Sequence, residues 1–567
     1  MESVKIRSGL LIYFILITLI FLFCILPKVN KPIMGWEVYT WQMAESIEHD
    51  GLSGAKYFYN TPLYALIISF FFKAFGVLEV SARLPGIIAI IMMPVFLLLF
   101  IRELTTDAAE RKGAFVISSL IFLLSPVVVQ GSLVIDLPDT TLLMFAVSVF
   151  FLYLAKSANM NFAKRALILG LIYFLCIALK MTTSLACVIS IAIAGFFLRD
   201  FKKYLYLSFV VFGVGVFLHI FTWFLLCVFF IGLGRFYEPF RYYYLAASSS
   251  FVDQWSFMLP KIAQDVLRIY LWFSPFFIIL AFLAFKDTLN RIYRKNEYKS
   301  VLPSLIFIII VVSVYLVANA TFSGFPKYLA PVYGILCAVT GLYVYKKVIP
   351  LWRPKFLISA ALLIFLGGIY YNFFIRDGLY SVYILRSASL AGRLAEVIPE
   401  FVFIQLKLLL LPVFIFIILR ILFRMSAIFI LIASLLTSLL AGNIALNLEQ
   451  RRASYSTNYA YGIEGAQDLK DYLQENAPLA VYSSVEGFLA NTPGVVFLPI
   501  YPIAWDNADE FYIFLKNLKP QALVYGLATN YLWQLEPIFN DPLVKGYLEA
   551  GYRKKVIGAY NVLIRNE

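Results

Sequence analysis

Long uninterrupted apolar runs constrain this chain more than any motif does. The stretches at 9–26, 356–374 and 408–441 hold few or no charges. A helix rises about 1.5 Å per residue, so about 20 apolar residues match a hydrocarbon core about 30 Å thick. Backbone N–H and C=O groups find no water there, and each run must satisfy them internally as helix. The composition follows suit: 62% apolar, 14% charged, mean hydropathy +0.84. Soluble domains sit nearer one half apolar and one quarter charged. Soluble globular and disordered folds are excluded.

Cysteine and net charge add less. Cys24, Cys176, Cys187, Cys227 and Cys337 all lie in apolar runs with no CxxC pair, as expected of small packing residues. A net charge of +14 suits nucleic acid in a soluble protein, but here it fits basic cytoplasmic loops. The first run follows Lys5 and Arg7 as a signal peptide would. Pro27, Lys28 and Val29 come next rather than a small-residue cleavage site, so the run reads as a retained anchor.

Hydropathy predicts spans near 8–26, 84–101, 114–131, 140–157, 165–180, 183–198, 204–231, 269–285, 301–319, 329–345, 356–374, 403–420 and 426–446. That is an all-α polytopic bundle of about thirteen helices. The stretch 62–75 is apolar but short and contains Lys73. If it lies flat on the outer surface and the N-terminus is cytoplasmic, the loops with Arg102/Arg111/Lys112, Lys156/Lys164/Arg165, Arg199/Lys202/Lys203, Lys286/Arg291/Arg294/Lys295/Lys299, Lys346/Lys347/Arg353/Lys355 and Arg420/Arg424 all fall inside. If it spans, every one of them flips outward, against the positive-inside rule. The interfacial placement therefore holds, and the odd span count puts the C-terminus outside. A first external loop of about 27–83 results.

From 447 onward charged residues return and helix alternates with short strand. Helices are expected at 464–476 and 509–518, strands at 479–483, 495–500, 522–525 and 560–564. That order predicts a small extracytoplasmic α/β domain, 447–567, with a mainly parallel sheet, following a membrane domain of 1–446. It carries no GxGxxG, no Walker sequence and no metal-spaced His/Cys set. Its plainest role is a cap that shapes a substrate site.

Several charges are not explained by hydropathy. Glu37 lies among aromatics in the first external loop, where an interfacial aromatic belt is the simpler account. Asp139 directly precedes an apolar helix and serves equally as its N-cap. Lys180 splits about thirty apolar residues, as a topological break or as a cation facing an anionic ligand. Lys327 and Arg268 pose the same choice. His49 and His219 are isolated, which removes support for a His-based metal site or triad. Two carboxylates and several cations on one face suit attack on a lipid-linked phosphosugar, a carboxylate deprotonating the acceptor while Lys or Arg meets the departing phosphate.

Five segments carry a family resemblance. Trp36-Glu37-Val38-Tyr39-Thr40-Trp41-Gln42-Met43-Ala44 resembles a first-loop "DE-x-x-Y-x-x-x-A" signature. Thr61-Pro62-Leu63-Tyr64 and then Phe75-Gly76 to Ala82-Arg83-Leu84-Pro85-Gly86 resemble "PPLYY…FG…RLPS". Pro138-Asp139-Thr140-Thr141 resembles a second-loop "PD" segment, Ala178-Leu179-Lys180 a "TK" turn, and Lys327-Tyr328-Leu329-Ala330-Pro331 a late "RY-x-x-P". Together they are similar to the GT-C class of integral-membrane glycosyltransferases, in the branch of protein O-mannosyltransferases and lipid A aminoarabinose transferases. The resemblance covers the N-terminal two-fifths, with the late motif fainter. Many relatives have Asp where this chain has Trp36, and Arg where it has Lys327.

The resemblance implies a glycosyltransferase that moves a sugar from a polyprenyl-phosphate carrier to a lipid, glycan or protein hydroxyl at the outer face of a plasma membrane. It implies Glu37 and Asp139 as acid/base or acceptor-positioning groups, and Lys180 and Lys327 against phosphate; Arg268, by its position at the head of a span, is a further phosphate-binding candidate. No cofactor is assigned; a divalent metal is compatible with the chemistry. No nucleic acid is expected as partner. The rival readings are a lipid-linked saccharide flippase and a non-catalytic scaffold descended from the enzyme, the latter motivated by Trp36.

Overall fold

The computed structural model describes residues 2–26, 37–55, 61–135, 141–240, 273–295, 297–317, 327–348, 466–483, 494–500, 508–527, 541–557 and 560–566, with a few isolated positions besides. The spans expected at 356–374, 403–420 and 426–446 therefore lie outside the described residues. Two compact units result. One comprises Met1–Val29 and Met43–Leu446; the other comprises Asn30–Gln42 and Asn447–Glu567.

The first unit is helical. Its N-terminal half runs α1 (Glu2–Ile25), α2 (Glu37–Asp50, whose first six residues fall in the second unit), α3 (Leu63–Phe75), α4 (Glu79–Leu104), α5 (Ala108–Leu123) and α6 (Pro126–Gly131). Then come α7 (Leu142–Lys156), α8 (Phe162–Leu179), α9 (Met181–Phe197), α10 (Phe201–Leu226), α11 (Pro275–Lys295), α12 (Leu302–Val317) and α13 (Ala330–Tyr343). Among the described residues, four stretches are long and apolar enough to cross a membrane: Glu79–Leu104, Phe162–Leu179, Phe201–Ile231 and Lys299–Leu316. Ile12–Ile25, Leu63–Phe75, Leu142–Lys156 and Met181–Phe197 are apolar but shorter. The chain is a membrane protein with a mostly helical fold. The run expected as one span at 114–131 is broken instead: Ser125 leaves the helix and Pro126 starts a new one, since proline has no N–H to continue the ladder.

α3 is 13 residues long, about 20 Å, well short of the hydrocarbon thickness. It turns one face inward through Tyr64, Ala65, Ile68 and Phe72 and ends at Gly76, whose φ of 87° favours glycine.

α5 and α13 pack antiparallel along most of their length. Tyr345 lies against Gly113, Ser118 and the Ala114 carbonyl lie against Gly341, and the Phe122 and Tyr333 rings are 6.1 Å apart. Tyr333 is fully buried and also meets Phe273 and Phe277. This pair gives the bundle two distinct ends. At one, Lys346 pairs with Glu110 at 2.5 Å, bringing together two loops that the charge pattern assigns to one side. Asp107 caps α5 there, and the N–H bonds it accepts from Glu110 and Ala109 hold its carboxyl below the usual carboxylate range. At the other end lie the starts of α4 and α13 and the end of α6.

The second unit contains α14 (Ala466–Asn476), α15 (Ala508–Leu518), α16 (Pro542–Gly551) and a five-stranded sheet: β1 (Leu479–Ser483), β2 (Val496–Ile500), β3 (Ala522–Leu527), β4 (Tyr552–Ile557) and β5 (Tyr560–Arg565). The strand order is β2-β1-β3-β5-β4. The expected mainly parallel sheet is corrected to a mixed one. β1 pairs parallel with β2 and β3, whereas β5 is antiparallel to β3 and β4. Only Gly558 and Ala559 separate β4 from β5, and so short a link permits only a hairpin. β4 escaped the sequence reading because Arg553, Lys554 and Lys555 conceal it; on an edge strand such charges deter unwanted pairing. Phe511, Leu515, Leu523, Val544, Leu548 and Tyr552 form the core, with the Tyr552 hydroxyl donating to the Pro520 carbonyl at 2.9 Å.

The α5–α13 contact makes a direct prediction. A Cβ at Gly341 would meet backbone atoms of Ala114 and Ser118 within 3 Å. Gly341→Ala should therefore cost about 1–3 kcal/mol of stability by overpacking. Gly213→Ala on α10, where a Cβ meets nothing within 4 Å, should leave the thermal midpoint in detergent unchanged or raised.

Candidate functional site

Lys180 is the single residue between α8 and α9. Its backbone is extended (φ −162°, ψ 112°), which breaks what would otherwise be one long apolar helix. The break is held on both sides: the Lys180 N–H donates to the Cys176 carbonyl at 2.8 Å, and the Lys180 carbonyl accepts from the Ser184 hydroxyl at 2.6 Å. The side chain is 8% exposed. Its Nζ stands 3.7 Å from the centroid of the Tyr328 ring, a short cation–π contact.

Tyr328 is itself supported. Its ring stacks on Tyr315 of α12 at 5.1 Å with the planes 9° apart. The Tyr315 hydroxyl lies 2.6 Å from Thr183 Oγ1 and 3.4 Å from Thr182 Oγ1, both in the first turn of α9. The assembly thus closes on itself: α9 holds Tyr315, Tyr315 supports Tyr328, and Tyr328 faces the lysine that precedes α9. Thr61 joins from the other side, donating to the Ala178 carbonyl at 2.6 Å. Three segments singled out in the sequence therefore meet: the one starting at Thr61, the turn at Lys180, and the one starting at Lys327.

The start of α4 gathers the exit from α1, the end of the α6 stretch and the residue before α7. Arg83, 3% exposed, donates from Nε to the Leu133 carbonyl at 2.8 Å and from a terminal nitrogen to the Val29 carbonyl at 2.7 Å. Gly86, almost one turn further, lies against Thr141 and the Ser132 carbonyl. α3 packs on both α4 and α8, so it links the two groups.

The five residues proposed from sequence fare differently. Lys180 sits in this assembly. Lys327 opens the 3-10 turn Lys327–Leu329 that delivers Tyr328. Asp139 and Arg268 lie outside the described residues, as does Trp36. Glu37 opens α2, is 4% exposed and belongs to the second unit; a carboxylate in a first helical turn is favoured by the helix dipole. Among the described residues no group of three His, Cys, Asp or Glu side chains is placed to hold a metal ion. The sequence reading missed Tyr315 and Thr183. Hydroxyls directly after Lys180 were a signal for Thr183, but nothing local marks Tyr315 within its apolar run.

No family model matches the chain, and no curated protein matches it by sequence. Solved structures do. ArnT from Cupriavidus metallidurans, a GT-C aminoarabinose transferase, superimposes in its apo state with a TM-score of 0.59 at 13% identity, covering 98% of each chain. The same protein bound to undecaprenyl phosphate gives 0.59 at 14% identity, again over 98% of each. An oligosaccharyltransferase from Archaeoglobus fulgidus gives 0.49 at 11% identity, over 98% of this chain and 73% of that one. This chain has the ArnT fold. The fold that the motifs of the N-terminal two-fifths imply thus extends over the whole length. At this identity the likeness is one of fold, and the site must be argued from its own residues.

The Lys180–Tyr328 contact is testable without a substrate. A double-mutant cycle of Lys180→Met and Tyr328→Leu, read by thermal unfolding in detergent, should give a coupling of about 0.5–2 kcal/mol. Strict additivity would mean that the lysine does not rest on the ring.

Proposed function

We propose that the chain is a GT-C glycosyltransferase that takes a sugar from a polyprenyl-phosphate carrier and gives it to a lipid, glycan or protein hydroxyl at the outer face of the plasma membrane. The observation that carries the reading is a buried lysine, Lys180, held on an aromatic shelf where three family-like segments converge, within a full-length ArnT fold. ArnT binds undecaprenyl phosphate, and the same lipid class suits a cation enclosed in this way.

The chemistry follows from charge. A carboxylate, Glu37 or Asp139, takes the proton of the acceptor hydroxyl. The oxygen then attacks the anomeric carbon, and the bond from that carbon to the phosphate oxygen breaks. The polyprenyl phosphate leaves with the electron pair and gains negative charge, which Lys180, Lys327 and Arg268 meet. Lys180 lies on the face of the Tyr328 ring, whose quadrupole favours a cation there. The transferred group is a hexose or pentose, and the sugar is activated by its lipid phosphate, so no nucleotide site is required.

The topology belongs to the same proposal. It has about thirteen spans, with residues 1–446 forming the membrane domain, α3 lying flat at the outer surface, and an extracytoplasmic domain of 447–567. The end of the bundle bearing Lys180 then faces outward and the Lys346–Glu110 end faces the cytoplasm. Single cysteines at Thr106 and Lys519 should react with an impermeant maleimide from opposite sides of sealed vesicles; labelling from the same side overturns the topology.

The decisive assay supplies radiolabelled polyprenyl-phosphate sugars to proteoliposomes. Turnover should fall about 10²–10⁴-fold in whichever of Glu37→Gln and Asp139→Asn removes the base, and Lys180→Met should slow transfer as well. Trp36, in the place of a relative's Asp, favours one alternative, a scaffold that binds the lipid donor without turnover. Donor binding with no transfer from any sugar, in folded protein, would establish that alternative instead.

A further inference from the structure

Three helices end or begin together on the Lys346–Glu110 side of the helical unit. α7 starts beside Gly86, near the opposite end of α4, and so finishes on this side at Lys156. Five residues later α8 begins. α8 and α10 run parallel: Phe162 stacks on Tyr206 with ring centroids 5.1 Å apart, Gly170 lies against Val214, and Gly215 lies against Tyr173. The starts of α8 and α10 therefore share one end with the close of α7.

Both turns at this end are built tightly. Arg165, 5% exposed, donates from Nε to the Ser157 hydroxyl at 3.2 Å and from a terminal nitrogen to the Leu154 carbonyl at 3.0 Å, binding the start of α8 to the last turn of α7. α9 closes in a Schellman turn: the Asp200 N–H donates to the Gly195 carbonyl at 3.1 Å and the Arg199 N–H to the Phe196 carbonyl at 3.3 Å. Such a turn puts one residue in the left-handed region, most often glycine; here it is Arg199, with φ 59°. Lys156, Lys164, Arg199, Lys202 and Lys203 all stand exposed at this end. Asp200 is the one carboxylate in the sequence between 156 and 206, and it pairs with Lys203 at 3.8 Å. The other four cations form no ion pair among the described residues.

We propose that this rim of α7, α8 and α10 binds an anionic phospholipid of the adjoining leaflet, its phosphate among Lys164, Arg199 and Lys202 and its acyl chains along the apolar side chains that follow. Directly beyond the cations, α8 and α10 expose Leu167, Leu171, Tyr206 and Phe209. A soluble anion has no use for that apolar flank, and an uncharged lipid has none for the cations. Unpaired like charges repel one another, and a bound anion relieves the repulsion. Topology accounts for basic residues on this side, but it does not call for an arginine where the backbone favours glycine. Lys180 lies at the far end of α8, so the lipid site stands apart from the glycosyltransferase reading.

The test uses full-length protein in detergent, titrated with phosphatidylglycerol or phosphatidylcholine, with bound lipid counted by native mass spectrometry. Phosphatidylglycerol should bind at least about tenfold more tightly than phosphatidylcholine. Lys164→Gln combined with Lys202→Gln should weaken phosphatidylglycerol about 25-fold, about fivefold per lysine. Lys286→Gln combined with Arg294→Gln removes two exposed charges from α11 on the same side and should change it by no more than about twofold. Arg199→Gly should weaken phosphatidylglycerol about fivefold while the thermal midpoint holds or rises, because glycine suits that φ. Glycerol phosphate, which has the phosphate without acyl chains, should not displace the bound lipid.

The proposal is overturned if the α11 pair weakens phosphatidylglycerol as much as the Lys164 and Lys202 pair does, which would leave only the general field of a basic side. Equal affinity for the two lipids overturns it as well. Displacement by glycerol phosphate would make the rim a site for soluble anions and overturn the lipid assignment. The substituted lysines are exposed, so a lost thermal midpoint does not stand in for lost binding, and Arg199→Gly separates the two by moving them in different directions. Sugar transfer plays no part in these readouts, so its failure leaves the lipid site to be decided on its own.

Discussion

The antiparallel contact of α5 with α13 sets the geometry on which the rest of the helical unit depends. In a bilayer no hydrophobic gain drives one helix onto another, so association rests on close packing and on polar contacts. Here Gly113 and Gly341 remove the side chains that would hold the two helices apart. With the pair in register, the loop after α4 and the turn after α13 must share one end, where Lys346 meets Glu110. Tyr328 and Leu133 are then delivered to the opposite end, together with Arg83 at the start of α4. Separation of ionic and site-bearing ends is thus a consequence of helix direction and needs no further device.

Burial explains how the site-bearing end holds its cations. A lysine or arginine removed from water is costly unless something replaces its hydration. Two solutions occur side by side. Arg83 donates to the carbonyls of Leu133 and Val29. Lys180 instead has an aromatic face below it, and the hydroxyl network of Tyr315 and Thr183 fixes the ring support rather than the ammonium. Sequence types alone do not separate these roles, since both are basic residues beside apolar helices. What the geometry adds is the surroundings: backbone carbonyls against the Arg83 guanidinium and a ring face against the Lys180 ammonium.

Much of this was legible in the sequence because the bilayer leaves few options. Among the described residues the apolar runs gave helices near the expected places, apart from the break at Ser125, and the isolated Lys180 marked a real break. The motifs beginning at Thr61, Lys180 and Lys327 pointed to segments that meet. Tyr315 was invisible, since a tyrosine in an apolar run gives no sign of a stacking partner thirteen residues on. In the second unit, periodicity found the helix Ala508–Leu518 and the strand Leu479–Ser483. It failed at Tyr552–Ile557, where three successive basic residues erase the alternation that marks a strand. The error over sheet direction followed, because the antiparallel half of the sheet consists of that strand and its hairpin partner.

Two departures from the family pattern bear on the same physical question. In the site as proposed, Lys327 offers phosphate a point charge where relatives offer a bidentate guanidinium, with the same sign and less directional geometry. On the same proposal, Trp36 stands where relatives have a carboxylate beside the Glu37 position. Both departures, so read, mean less charge and less directional recognition. A site so altered relies more on how rigidly its remaining groups are held. The self-closing shelf under Lys180 is a feature of that kind, a built support for few charges rather than many charges loosely arranged.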